Sequence, residues 1–191
     1  MYILFDIGGT KTRIAASKDL ASFTEPIIFP TPQNFEEGIA IIAKTVQENY
    51  GGEPVQAVAG GIAASPNRER TKLVAGGPQI ADWINKPIKA RLSEVLNAPV
   101  YIENDTAMGG LAQVHFGPAK GFEIAVYVTV STGVGGCRFT DGKIDKSALG
   151  FEPGWQIIGS HEMCACSSPE KWLDGFCAPG FLISHIGGKC V

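Results

Sequence analysis

Short apolar runs alternate with glycine-containing turns over the first thirty residues of the chain. Apolar runs at residues 2–6 and 12–16 flank the pair Gly8-Gly9, and this pattern predicts two buried strands joined by a short turn. Residues 27–29 predict a third strand. The chain therefore opens as a meander of three short strands.

Helical spacing begins at the next polar cluster. Asn34 is placed to cap a helix, and Glu37 follows three residues later as in a variant of the capping box. The apolar residues of this segment recur at helical intervals, and they are Phe35, Ile39, Ile42 and Val46. We therefore predict a helix that begins at Asn34.

Strands and helices then alternate. Residues 55–59 predict a strand that ends at Gly60-Gly61, and residues 99–102 predict another. Between them, residues 87–96 predict a helix whose apolar side is formed by Ile88, Leu92 and Val95. A further helix begins where Asn104 or Asp105 can cap it. This order predicts an α/β fold of mixed sheets with flanking helices.

The strand, glycine turn and strand of the N-terminus recur at residues 124–144. The segments "FDIGGTKTRIA" and "VTVSTGVGGCRFT" look like two copies of one strand–turn–strand unit. We interpret them as hairpins of two similar lobes, an N-terminal lobe over 1–120 and a partial C-terminal lobe over 121–191. Chance similarity of two hairpins is the alternative.

Composition narrows the class of partner. The chain has 191 residues, of which 45% are hydrophobic and 18% charged, and its net charge is −3. This balance gives no electrostatic reason to expect a nucleic acid or an anionic membrane. No apolar run approaches the roughly 18 residues of a membrane span, and Asp6 interrupts any signal peptide. We expect a cytoplasmic protein.

Five cysteines form an odd set, namely Cys137, Cys164, Cys166, Cys177 and Cys190. In a cytoplasmic chain, free thiols or a metal site are expected rather than disulfides.

The segment "FDIGGTKTR" has the composition of a phosphate-binding loop. Its backbone N–H groups, the Thr10 hydroxyl and the Lys11 ammonium can all contact phosphate oxygens. It is neither the dinucleotide fingerprint nor a Walker A loop. A phosphatase with an aspartyl nucleophile would need a carboxylate where Gly8 stands, so Asp6 is better interpreted as a ligand, through water, of a nucleotide-bound Mg²⁺. A plain β-hairpin is the alternative.

Two further segments carry candidate chemistry. In "IENDTAMGG", Asn104 and Asp105 follow a strand directly, a position that exposes side chains in the cleft of an α/β sheet. The pair can bind sugar hydroxyls, and the carboxylate can accept a proton from one of them. Helix capping is the simpler alternative. The segment "STGVGG" at residues 131–136 can hold a second phosphate through its backbone.

Four ordered segments resemble the signatures of the ROK family of bacterial sugar kinases and related repressors. They are "DIGGTKTR", "ENDTAMG", "STGVGG" and "GFEPGWQ", and together they extend over nearly the whole chain. The resemblance implies the two-lobed actin-like ATPase fold, which is related to ribonuclease H, and phosphorylation of a hexose by ATP and Mg²⁺.

The resemblance also implies a role for each matching residue. Asp105 would be the general base, and Asn104 would bind sugar hydroxyls. The remaining residues fall into two groups. Substrate binding would involve Gly61, Glu152, Trp155 and Asp174, and nucleotide binding would involve Asp6, Gly8, Gly9, Thr10, Lys11, Thr132 and Gly133.

The sequence departs from the family pattern in the second half. Trp155 stands where the family has a histidine that binds sugar and, in many members, zinc. Only Cys164 and Cys166 remain of the family's cysteine ligands, and Asp174 replaces a glutamate. His161 and Cys177 are candidate replacements, but tetrahedral Zn²⁺ needs four well-directed ligands, and nothing in the spacing assures them. We therefore do not expect bound zinc, and Cys164 and Cys166 are interpreted as ordinary thiols.

Two functions from different classes follow. The first is an ATP-dependent hexose kinase that acts on the 6-hydroxyl of a glucose-like sugar. The second is a catalytically impaired sugar-binding relative, which the apparently short C-terminal lobe and the lost histidine favour. A repressor is a weaker third interpretation, because the chain shows no basic surplus for DNA. An incomplete second lobe would expose apolar surface and favour a homo-oligomer.

Overall fold

In the computed structural model, residues 1–130, 134–146, 151 and 153 are described. The chain divides into two compact units, Met1–Met108 and Gly109–Val191. The lobe boundary between residues 120 and 121 that we drew from the sequence stays a prediction. Among the described residues, no helix is both long and apolar enough to cross a membrane.

The first unit contains seven strands and three helical segments. Its strands are β1 (Tyr2–Ile7), β2 (Lys11–Ser17), β3 (Ile27–Pro30), β4 (Ala57–Ile62), β5 (Ala64–Pro66), β6 (Leu73–Gly76) and β7 (Val100–Asn104). Its helices are α1 (Phe35–Tyr50), a 3-10 helix (Pro78–Trp83) and α2 (Ile88–Leu96). A third α-helix, α3 (Asp105–Phe116), begins in this unit. The predicted order of strand meander followed by alternating helices and strands is confirmed.

Five of these strands form one mixed sheet in the order β3-β2-β1-β4-β7. Strands β1, β4 and β7 are parallel, whereas β2 is antiparallel to both of its neighbours. The register aligns Asp6 with Gly61 and Gly61 with Glu103. The carboxyl ends of the three parallel strands therefore meet at one edge of the sheet.

Helix α1 begins as the sequence predicts. The Asn34 side chain caps it by accepting a hydrogen bond from the Glu37 backbone N–H at 3.0 Å. The four apolar residues predicted to share one face of α1 are all buried in the core of this unit. Asn34 and the hydrophobic spacing together explain where this helix begins and which side it buries.

Two details of the predicted elements are wrong. Strand β4 does not end at Gly60-Gly61 but runs through both residues to Ile62. A side chain at Gly60 would lie 1.9 Å from the Phe5 carbonyl oxygen, so this glycine allows close packing rather than a turn. On α2, Val95 is 38% exposed. Leu96 takes its place beside Ile88 and Leu92, because a helical face continues at intervals of about four residues.

The described part of the second unit is built on an antiparallel sheet. It contains β8 (Ile124–Val130), β9 (Val134–Thr140) and β10 (Lys143–Ile144) in the order β10-β9-β8. Val130 pairs with Val134, which confirms the two predicted strands of this unit, while the turn residues 131–133 lie outside the described residues. Phe139 is buried, and a side chain at Gly110 of α3 would collide with its ring at 2.4 Å. Gly110 thus allows α3 to lie close to β9.

Candidate functional site

The turn between β1 and β2 is tight and is braced by Thr31, the residue that directly follows β3. The Gly8 N–H donates to the Lys11 carbonyl at 2.9 Å, and a side chain at Gly8 would come equally close to that oxygen. The Thr31 hydroxyl donates to the Gly8 carbonyl at 2.7 Å, and the Thr31 N–H donates to the Thr10 carbonyl at 3.0 Å. Thr10 and Lys11 remain exposed. The turn is therefore a fixed backbone that presents a hydroxyl and an ammonium to solvent.

The Thr31 brace continues into the buried part of the hairpin. Thr31 uses its hydroxyl hydrogen on Gly8, so its oxygen accepts from the hydroxyl of Thr12, 2.9 Å away. Thr12 is fully buried. This polar pair ties the end of β3 to the hairpin through Thr31, the next residue, without leaving a hydroxyl unsatisfied.

Asp6, at the end of β1, pairs with a cation from β2. The Arg13 Nη1 lies 2.7 Å from the Asp6 Oδ2, and the two residues are direct partners in the strand register. Both side chains are nearly half exposed. The guanidinium engages one carboxylate oxygen, and the exposed carboxylate retains acceptor capacity for a further ligand.

Asn104 closes β7 and caps α3. Its Oδ1 accepts a hydrogen bond from the Ala107 N–H at 3.1 Å, and its Nδ2 donates to the Ala64 carbonyl at 3.3 Å. Of the two residues that the sequence offered as the cap, Asn104 therefore makes the bond to the N–H three residues on. Those two bonds hold the amide plane in a defined orientation at the end of the sheet.

Asp105 is the first residue of α3 and is exposed as a residue. The atoms around its carboxyl group still remove enough water to raise the pKa of Asp105. The hydrogen bond that its Oδ1 accepts from the Thr106 N–H at 2.7 Å opposes the rise, and the negative charge of Asp6 adds to it. A carboxylate whose pKa is raised is a better proton acceptor than an ordinary surface aspartate.

Gly61 lies between these two carboxylates. It pairs with Asp6 across β1 and β4, and a side chain at Gly61 would lie 2.9 Å from the Asp105 Cα. The start of α3 can therefore approach β4 only because residue 61 has no Cβ. Asp6, Gly61, Asn104 and Asp105 are brought to one edge of one sheet.

Several residues of the predicted site lie outside the described residues. These are Thr132 and Gly133 of the second turn, Glu152, Trp155 and Asp174 of the predicted sugar site, and the cysteines Cys164 and Cys166. Their roles stay predictions. Within the described ranges, no three His, Cys, Asp or Glu side chains are grouped as a metal would require.

The sequence reasoning assigned no role to three residues that hold the site together. Arg13 belongs to the segment "FDIGGTKTR", and the signal for its role is that a hairpin over this segment places it directly opposite Asp6. Thr31 and Arg70 carry no local signal, because each acts on a segment more than twenty residues away. Arg70 donates to Glu103, immediately before Asn104.

Comparison with known proteins identifies relatives of two functional kinds. The chain is 28% identical over 170 residues to a glucokinase of Streptomyces coelicolor, an alignment that covers 87% of this chain and 53% of the glucokinase. It is 30% identical over 107 residues to a xylose repressor of Caldicellulosiruptor bescii, which covers 54% of this chain and 27% of the repressor. The chain thus spans about half the length of the glucokinase it matches.

The fold agrees with these relatives. A ROK family glucokinase from Streptomyces griseus, solved in complex with glucose and AMPPNP, matches with a TM-score of 0.76 and 24% identity over 96% of this chain and 59% of that chain. The chain has the actin-like ATPase fold of ROK sugar kinases. The ROK family signature matches residues 2–180, and the chain therefore belongs to the ROK family.

Proposed function

We propose that this protein transfers a phosphoryl group from ATP to the 6-hydroxyl of a glucose-like hexose, with Asp105 as the general base. The observation that carries the proposal is the convergence of Asp6, Gly61 and Asp105 at the carboxyl edge of three parallel strands. Ligands of α/β sheets bind at this edge. The glucokinases among the relatives support this reaction class.

Asp105 suits the task of accepting a proton from a sugar hydroxyl. A general base works best when its pKa approaches the operating pH, and partial desolvation moves the pKa of Asp105 in that direction. A well-placed base contributes about 10²–10⁴-fold to the rate. In phosphoryl transfer, the rest of the catalysis comes from positioning and charge neutralisation.

Asn104 suits the task of holding the sugar. An asparagine amide offers two donors and two acceptor lone pairs, and the protein uses one of each on Ala64 and Ala107. One donor and one lone pair are left to a hydroxyl and its neighbour, in an orientation that the two internal bonds fix. Gly61, beside Asp105, would let the sugar approach the backbone of β4. By resemblance, Glu152, Trp155 and Asp174 would complete the sugar site.

The β1–β2 turn suits the task of holding phosphate. Gly8 and Gly9 allow the backbone to come close to a ligand, and Thr10 and Lys11 supply a hydroxyl and a positive charge. Thr132 and Gly133 would form the matching turn of the second unit.

Asp6 fits a magnesium ion that arrives with the nucleotide. Mg²⁺ is typically held by one or two carboxylates, phosphates and water, and Asp6 supplies one half-exposed carboxylate beside the turn. Bound there, the ion would neutralise charge on the transferred phosphoryl group. Asp6 would hold it through water, and Arg13 would keep the carboxylate oriented. That the protein binds no zinc stays a prediction, because Cys164 and Cys166 lie outside the described residues.

A second candidate is a sugar-binding relative without kinase activity. The observation that favours it is the ion pair of Asp6 with Arg13, because a cation already occupies one oxygen of the carboxylate that would serve the metal. Transcriptional repressors among the relatives show that ROK proteins need not be kinases.

The experiment that separates the candidates is ATP-dependent phosphorylation across a panel of hexoses, with sugar and nucleotide binding measured by calorimetry. A kinase turns over at least one hexose, and Asp105→Ala abolishes turnover. Glu25→Ala removes an exposed carboxylate elsewhere in the first unit and serves as the matched control. Sugar binding without ATP binding or turnover would establish the second candidate instead.

A further inference from the structure

Arg70 has an unusual backbone conformation for a residue with a side chain. It lies in the loop between β5 and β6 with φ of +54°, in the left-handed region that glycine adopts far more readily. The loop is held in place by Asn67, whose Oδ1 accepts from the backbone N–H groups of Thr71 and Lys72. Strain of this kind persists where the surroundings fix it, and it often marks a functional region. An arginine here therefore needs a reason that lies in its side chain.

The side chain of Arg70 reaches the main sheet. Its Nε donates to the Glu103 Oε2 at 2.8 Å, and its Nη1 donates to the Arg68 carbonyl at 3.1 Å. The side chains of Arg70 and Glu103 are only 24% and 14% exposed. An ion pair that is mostly withdrawn from water is screened far less than a surface pair. The ion pair joins the loop to the end of β7.

Glu103 passes this connection on to the candidate site. Its second oxygen, Oε1, accepts from the Asn104 backbone N–H at 3.0 Å. Asn104 is bonded in turn to Ala64, at the start of β5, and to Ala107, in the first turn of α3. The carboxylate of Glu103 thus bridges Arg70 to the residue that precedes Asp105.

We propose that Arg70 is a positioning residue, which fixes Glu103 and through it the β7–α3 junction that carries Asn104 and Asp105. Arg70 does not touch the reacting atoms in this account. The role rests on the proposed function insofar as it concerns catalysis, but the order of the junction can be measured without any substrate. In the left-handed conformation that Arg70 adopts, its guanidinium reaches Glu103.

The direct test is amide hydrogen exchange in the full chain without ligands. We expect Arg70→Ala and Glu103→Gln each to speed exchange at the amides of Asn104 and Ala107 by about 10-fold or more. In either variant, local opening of the β7–α3 junction no longer has to break the Arg70–Glu103 ion pair, so the amides open more often. Arg68→Ala removes a neighbouring, exposed arginine side chain and should leave both amides unchanged.

Arg70→Gly separates positioning from mere folding. Glycine relieves the left-handed backbone, so this variant should unfold at a temperature no lower than Arg70→Ala, yet it lacks the ion pair. We expect it to show the same fast exchange at Asn104. The double variant Arg70→Gly/Glu103→Gln should add little further exchange, because each substitution alone already breaks the bridge.

Kinetics give the second measurement. If the wild type phosphorylates a hexose, Arg70→Gly and Arg70→Ala should lower kcat by about 10–100-fold, because the general base is then misplaced. Arg70→Lys keeps a positive charge with N–H donors and should recover part of the loss. Nucleotide binding should not change, because the β1–β2 turn is untouched.

Unchanged exchange at Asn104 and Ala107 in both Arg70→Ala and Glu103→Gln would overturn the positioning role. Equal acceleration in Arg68→Ala would overturn it as well. A wild-type protein without kinase activity would refute the proposed function, and the exchange experiment would then decide the positioning role on its own.

Discussion

Gly61→Ala tests whether the start of α3 must lie against β4. A methyl group at residue 61 would come within 2.9 Å of the Asp105 Cα and 3.4 Å of its Cβ. Carbon atoms in contact prefer roughly 3.5–4.0 Å. Because the nearest neighbour is backbone, α3 has to move away from β4 by roughly half an ångström or more. The substitution therefore displaces Asp105 without removing any functional group.

Two effects of this displacement can be estimated. Overpacking of a buried position costs about 1–3 kcal/mol of unfolding free energy. A catalytic group misplaced by about 1 Å can lose about 10² in rate, so we expect kcat for hexose phosphorylation to fall by about 10–100-fold. Nucleotide binding should be unaffected, because the three atoms nearest the added methyl group all belong to Asp105 and none to the β1–β2 turn.

The assay pairs steady-state kinetics with urea unfolding, and the chain offers a matched control. Gly52 follows α1, and a side chain there would have no atom within 4 Å. Gly52→Ala should keep wild-type kcat and lose no stability. The reasoning fails if Gly61→Ala keeps both wild-type kcat and wild-type stability, or if Gly52→Ala shows the same losses.

Three other predictions concern single side chains. Asp105→Asn should be more stable than the wild type at pH 7, because burial raises the pKa of Asp105 and ionisation of its carboxyl group therefore destabilises the folded state. The difference in the free energy of unfolding, measured in urea, should disappear below pH 3.8, the ordinary pKa, where the carboxyl group is protonated in both states. Thr31→Val should lose about 1–3 kcal/mol in the same assay, since it strips the buried Thr12 hydroxyl of its partner, and a Thr31→Ser variant that restores the bond should recover most of it. The pKa of Asp19 should be about 2 by NMR titration, because backbone N–H groups of Ser22 and Ala21 bond its carboxylate; an ordinary midpoint would show that this loop is not formed in solution.

Local signals in the sequence were sufficient for most of the first unit. Asn34 with Glu37 marks a helix start that depends only on neighbouring residues, and the capping bond forms as predicted. The prediction that a strand ends at Gly60-Gly61 is wrong, because β4 continues to Ile62. Glycine in sequence marks both turns and close approaches, and only the neighbouring strand and α3 show which applies.

The candidate site could be predicted in its motifs but not in its supports. Asp6 and Asn104 lie at the ends of β1 and β7, and Asp105 follows β7 directly, so parallel pairing brings the three residues to one edge. Arg70 acts on Glu103, 33 positions away. A long-range ion pair of this kind leaves no periodic or spacing signal, and two opposite charges far apart in sequence are too common to indicate contact.

The central claim is that Asp105 removes the proton from a sugar hydroxyl during phosphoryl transfer. The measurement that tests it most directly compares kcat of Asp105→Asn with that of the wild type on the best hexose, together with the Kd of the sugar and of ATP. We expect kcat to fall by about 10²–10⁴-fold while both dissociation constants stay within a few-fold, because the amide keeps the shape and loses the base. A kcat close to that of the wild type would contradict the account.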